Sequence, residues 1–132
     1  MAKSAIVPSA QVRNFRQLKL WQEAMDLAVL VHQAAGRLPA SERFELGREM
    51  RRSATSIPSN VAEGFSRHSR KAYRLHVAIA VGSTAEVETQ LELALRLSHL
   101  ATDLVEDLLE RCATVARIGQ GLWRSLRPSR PR

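Results

Sequence analysis

Eight small or apolar residues late in the chain recur at alternating steps of four and three: Ala101, Val105, Leu108, Cys112, Val115, Gly119, Leu122 and Leu126. An α-helix brings such positions to one side, and a seam this narrow is stable only when other helices cover it. The same spacing occurs early, at Leu20, Ala24, Leu27, Val31, Ala34 and Leu38, and again at Met50, Ala54, Ile57, Val61 and Phe65. Seams repeated in this way predict helices packed on one another.

Taken in order, the first helix is expected from about Leu18 to Arg37, stopped by Gly36 and Pro39. Ser41 is placed to cap the second, with Glu42 and Glu45 in its first turn, where carboxylates suit the helix dipole. That helix is expected to reach Gly64, a natural stop, and it contains Pro58. Proline has no N–H and clashes with the carbonyl four residues back, here Ala54, so the second helix should kink. Ser53, Thr55, Ser56 and Ser59 surround the break and are able to bond freed carbonyls. The turn Phe65–Ser69 is short, which makes helices two and three antiparallel neighbours. Ser69 or Ser66 caps the third helix, which runs to about Ser98, and Gly82-Ser83 reads as a point of close helix approach. Thr102 caps the fourth, whose acids come first and whose arginines come last, and Pro128 closes it.

The fold expected is all-α, an up-down-up-down antiparallel four-helix bundle with the second helix kinked at a proline. Residues 1–17 form a flexible N-terminal arm that becomes ordered near Phe15, residues 18–127 the bundle, and residues 128–132 a frayed basic tail. The third helix carries more apolar surface than one seam needs. Leu75, Ile79, Val87, Leu91 and Leu95 do not share a narrow face with Ala78, Ala85, Leu93, Leu97 and Leu100. In a four-helix bundle no helix is central, so the surplus predicts a subunit interface.

A length of 132 residues suits one domain, and 45% hydrophobic content excludes a disordered chain. No apolar run approaches the length of a membrane span. The first residues lack the apolar core of a signal peptide, and a single cysteine cannot form an internal disulfide; a cytoplasmic protein is expected.

Catalytic chemistry is hard to place. Cys112 falls on a seam, as a small buried hydrophobe rather than a nucleophile. His32, His68, His76 and His99 are scattered without zinc-site spacing. Glu88 and Glu92 share a face with Glu86 nearby, but the repeated Glu-x-x-Glu or Glu-x-x-His elements of metal bundles are absent, so ion pairs with arginines of a neighbouring helix or subunit are the expected use. The chain is read as a non-enzyme with no cofactor and no metal.

Charge is the stronger signal. The net charge is +7, and seventeen of the twenty basic residues are arginine, the side chain suited to bidentate phosphate contact. Residues 48–74 hold seven basic groups against Glu49 and Glu63; residues 84–110 hold seven acids against Arg96; residues 111–132 hold six arginines and no acid. A polyanion partner is the functional reading, and an arginine-rich soluble surface without one is the alternative. The candidate contacts are Arg48, Arg51, Arg52, Arg67, Arg70, Lys71, Arg74, Arg117, Arg124 and Arg127. Of these, Arg67, Arg70, Lys71 and Arg74 should cluster where helices two and three meet. Arg124 and Arg127 are expected in a second patch at the opposite end.

Several pieces of the sequence together resemble a known family. Leu18-Lys-Leu-Trp21-Gln22-Glu-Ala24, Pro39 to Glu42, Arg51-Arg52-Ser-Ala-Thr-Ser-Ile57-Pro58-Ser-Asn60-Val-Ala-Glu63-Gly64 and Gly82-Ser-Thr-Ala-Glu86-Val-Glu88 stand in the order seen in the bacterial 23S rRNA intervening-sequence proteins. The resemblance covers about residues 15 to 100. It implies a four-helix bundle assembled into a homo-oligomer, a ring-shaped pentamer, in a family often encoded within ribosomal RNA genes. Relatives in retroelements bind a reverse transcriptase and nucleic acid. Two functions are therefore expected of the chain: binding the RNA or DNA backbone, or acting as a protein-interaction adaptor with an acidic protein partner. No membrane partner is expected.

Overall fold

Leu20, Ala24, Leu27, Val31 and Ala34 are buried along one side of α1 (Lys19–Ala35), as their spacing requires. Met50, Ala54, Ile57 and Val61 do the same on α2 (Leu46–Ser66). Val105, Leu108, Cys112, Val115 and Gly119 do so on α4 (Thr102–Ser125). The buried side of α3 (Arg70–Arg96) is made by Val77, Ala80, Ser83, Thr84, Val87, Leu91 and Ala94. The computed structural model describes residues 12–128, and within them there are these four helices, two short 3-10 turns and no strand. α1 packs on α2 and α4, and α3 packs on α2 and α4, closing a four-helix bundle around one core.

α2 stays helical from Leu46 to Ser66 with Pro58 buried inside it. The hydroxyls around Pro58 turn to neighbouring helices rather than to the carbonyls it frees. Thr55 Oγ1 meets His32 Nε2 of α1 at 3.0 Å, Ser53 Oγ accepts from Gln90 Nε2 at 3.0 Å, and Ser56 Oγ pairs with Ser83 Oγ at 2.9 Å. Asn60 Nδ2 donates to Ser56 O at 2.9 Å, which leaves its Oδ1 to accept from His76 Nδ1 at 2.9 Å. The pairs 53–90, 56–83 and 60–76 run in opposite directions along the chain, so α2 and α3 are antiparallel, joined by a polar row beside the apolar core.

Local details depart from the sequence reading. Gly64 does not end α2, which continues to Ser66. A β-carbon at Gly64 would lie 2.6 Å from His76 Cβ, so the glycine lets α3 approach α2. Gly82, expected at a close approach, has open space where its side chain would be, and it is Ser83 beside it that is buried. The left-handed turn positions are held by His68 (φ 54°) and Ser98 (φ 59°) instead of glycine. At the second of these, His99 N–H bonds Ala94 O and Ser98 N–H bonds Leu95 O, which closes α3 with its last carbonyls satisfied. Ser69 caps α3, its hydroxyl accepting from Ala72 N–H at 3.2 Å.

Ser41 does not cap α2. It lies in a 3-10 turn, Ala40–Glu42, and α2 begins four residues after that turn. Arg43 Nε donates to Leu38 O and Arg51 Nη2 to Arg43 O, bonds that hold the chain in a bend before the helix starts. Ala101, not Thr102, occupies the cap position of α4, with no side-chain cap. Of the arm expected over residues 1–17, residues 1–11 lie outside the described residues, as does the tail over 129–132. Phe15–Gln17 is a 3-10 turn capped by Asn14, and Phe15 meets Trp21 edge to face at 5.4 Å.

Candidate nucleic-acid interface

A helix that ends without partners leaves its last carbonyls unsatisfied and its C-terminus partly negative. α4 meets that need with cations from another helix. Arg70, the first residue of α3, donates from Nη2 to Ser125 O at 2.6 Å and from Nε to Arg127 O at 3.3 Å. One turn later Arg74 Nε donates to Trp123 O at 3.3 Å, and its guanidinium carbon lies 3.7 Å above the centre of the Trp123 ring.

These contacts correct the expectation of two patches at opposite ends. α4 returns antiparallel along α3, with a β-carbon at Gly119 reaching Val81 at 2.8 Å, so its final turn arrives where α3 began. Arg124 and Arg127 therefore stand at the same end of the bundle as Arg67, Arg70, Lys71 and Arg74. Arg67 follows the last turn of α2 and is ion-paired with Glu63, which also lies 3.6 Å from His76 Nε2. Arg117 is exposed on α4, two turns before Arg124 and about 10 Å from it along the axis.

The other three candidates stand apart. Arg48, Arg51 and Arg52 occupy the first two turns of α2, with Arg51 about 24 Å along the axis from Arg67. They border a shallow groove with His32, Thr55 and Ser59, and Arg52 is paired with Glu49 at 3.1 Å. The candidate contacts thus form one end cluster, one α2 cluster and Arg117 above the first.

Between the start of α3 and the end of α4 lies a groove of about 530 Å³, with Leu75, Ala78, Leu126 and Pro128 as its apolar floor and Trp123 as its wall. Arg70, Lys71 and Arg74 edge it, and among the described residues no carboxylate lines it. Sequence reasoning passed over Trp123. Its signal was its position among Arg117, Arg124 and Arg127, but pairing it with Arg74 required knowing which ends meet.

Burial, with the Glu88 carboxylate adding to it, pushes the Cys112 thiol up to about 12; a thiol held in its protonated form is a poor nucleophile. Glu86, Glu88 and Glu92 form no ion pair among the described residues; the pairs within the chain are Arg52–Glu49, Arg67–Glu63, His76–Glu63 and His99–Glu42. Among the described residues no three His, Cys, Asp or Glu side chains gather as metal ligands do, and no helix is long and apolar enough to cross a membrane.

Four helices, each packed on two neighbours around one core and with a cationic, aromatic-walled end, define an all-α four-helix bundle. The chain belongs to the 23S rRNA-intervening sequence protein family, whose model matches residues 16–121. A similar solved structure is that of a protein of unknown function from the S23 ribosomal protein family of Bacteroides thetaiotaomicron. It superposes with a TM-score of 0.73 at 21% identity, over 80% of this chain and 95% of that one. No functionally curated protein matches the chain.

Proposed function

We propose that this protein is a non-catalytic, self-assembling nucleic-acid-binding protein that holds RNA by its phosphate backbone at the end where α3 begins and α4 finishes. The observation that carries the reading is the gathering of Arg70, Lys71 and Arg74 with Arg124 and Arg127 beside a groove that, among the described residues, no carboxylate lines. Arg70 and Arg74 spend some donors on α4 carbonyls but keep their charge, and they are held in place by those bonds, so little side-chain freedom is lost on meeting a phosphate. The family's description names 23S rRNA and the Bacteroides structure is described as one from a ribosomal protein family, which supports RNA as the polyanion. Assembly multiplies the patch, so that a weak contact becomes useful through effective concentration.

The test replaces Lys71, Arg124 and Arg127, whose side chains make no hydrogen bond among the described residues, by glutamine. Three phosphate contacts on a single strand contribute about two units to the slope of log affinity against log salt. The triple variant should bind RNA of any sequence more weakly, with a slope flatter by about that amount and unchanged helicity. A parent-like slope removes the end patch from the reading. Arg48, Arg51 and Arg52, gathered on α2 away from the end groove, favour a second reading, an adaptor whose arginines face an acidic protein. Binding to one protein that persists at high salt, with no affinity for RNA, would make that reading the better one.

A further inference from the structure

From the Arg74–Trp123 stack we infer that the α3–α4 groove takes an unpaired base of single-stranded RNA, stacked against an outer face of the guanidinium–indole pair while the neighbouring phosphate meets Arg70 and Lys71. The inference rests on the nucleic-acid reading above and narrows it from a charged backbone to a strand whose bases are free. Three features point the same way. Trp123 is 37% exposed although it is large and apolar, and Leu75 in the floor is 59% exposed. The guanidinium of Arg74 lies over the ring at 3.7 Å, anchored through its own Nε to Trp123 O, so the planar pair is built before any ligand arrives. The groove's volume, about 530 Å³, falls in the range of small-molecule clefts, about 300–1,000 Å³.

The chemistry of the occupant follows. An apolar floor alone would suit a hydrophobic side chain, but cations edge this one and no acid among the described residues answers them, so the occupant is apolar on its faces and anionic at its side. A nucleotide meets both demands: bases stack on aromatic rings and on arginine planes, and the phosphate supplies the charge. A duplex hides its base faces, so it reaches only the cations.

The experiment uses the full chain with Trp21→Phe, which leaves Trp123 as the single tryptophan. Short oligouridine, the matching DNA strand and a short RNA duplex are titrated while Trp123 fluorescence and affinity are followed. Single strands should quench Trp123 and the duplex should not. Beside the parent chain, Trp123→Ala should weaken single-strand binding by about five- to 150-fold, the usual worth of one stacked base, with duplex binding unaltered. Trp123→Phe should restore most of the loss, and Arg74→Lys, which keeps the charge but not the plane, should behave like the alanine variant. If Trp123→Ala binds single strands as tightly as the parent while the duplex still binds, the stacking inference is wrong and backbone binding stands. If Trp123→Ala instead changes the particle mass, the groove is covered by a second copy and the inference is likewise overturned. If the parent binds no nucleic acid, both readings fall together.

Discussion

A methyl group added at residue 64 would meet His76 Cβ at 2.6 Å, whereas one added at residue 82 meets nothing within 4 Å. The same substitution should therefore act in opposite directions at the two sites. Gly64→Ala forces α3 away from α2 and should cost about 1–3 kcal/mol, and Gly82→Ala should stabilise an isolated chain by up to about 1 kcal/mol through helix propensity; urea midpoints measure both. Cys112 gives a pH test. Its folded pKa is raised from about 9 to about 12, so the folded state keeps a proton that the unfolded state releases. The thiol's contribution is full below about pH 9 and is lost as pH rises toward 12. Stability of the parent should fall over that window, and Cys112→Ala should flatten the part that begins near pH 9, below where Tyr73, also raised by burial, begins to add. An unchanged alkaline slope in the variant would show that the thiol is not the source.

At the scale of elements, Pro58 removes one bond from α2, yet Ser53, Thr55, Ser56 and Asn60 around it all bond to α1, to α3 or within their own turn. Those contacts hold the helix through the missing bond. Pro58→Ala should leave helicity by circular dichroism at least as high as the parent's and should not lower the melting temperature; a large loss would mean the proline ring itself is needed in the core. The four helices were legible because burial repeats with the helical period. The start of α2 was not, because Arg43 and Arg51 close the preceding bend through contacts five and eight residues apart, beyond what a local capping pattern at Ser41 records. Gly64 was misread for a related reason: a stop and a close approach both select glycine, and only the position of His76 tells them apart. The cations were legible as runs of charge. Their grouping was not, because Arg70–Ser125 and Arg74–Trp123 join residues 55 and 49 apart.

Across the whole molecule, Ile79, Leu93 and Leu97 are between 42% and 47% exposed on the outer side of α3. Fully burying such a side chain contributes about 1.5–3 kcal/mol, and covering the part of each that is still exposed would favour the self-assembly proposed above. Light scattering should give a mass several times 14.7 kDa. Since Leu93 and Leu97 are not part of the single chain's core, Leu93→Asp or Leu97→Asp should dissociate the particle while helicity is retained. Parent-like mass in both variants would show that this side of α3 is not where copies meet.

The polar row between α2 and α3 also decides how the two helices can err. Sliding α3 by one turn, about 5.4 Å, would part Ser53 from Gln90, Ser56 from Ser83 and Asn60 from His76 at one stroke, stranding half-dehydrated groups. Leucine and alanine surfaces alone would let the helices creep past one another at little cost. With three polar pairs, misalignment comes in steps rather than by degrees, and the joint behaves like a keyed shaft that engages in one position.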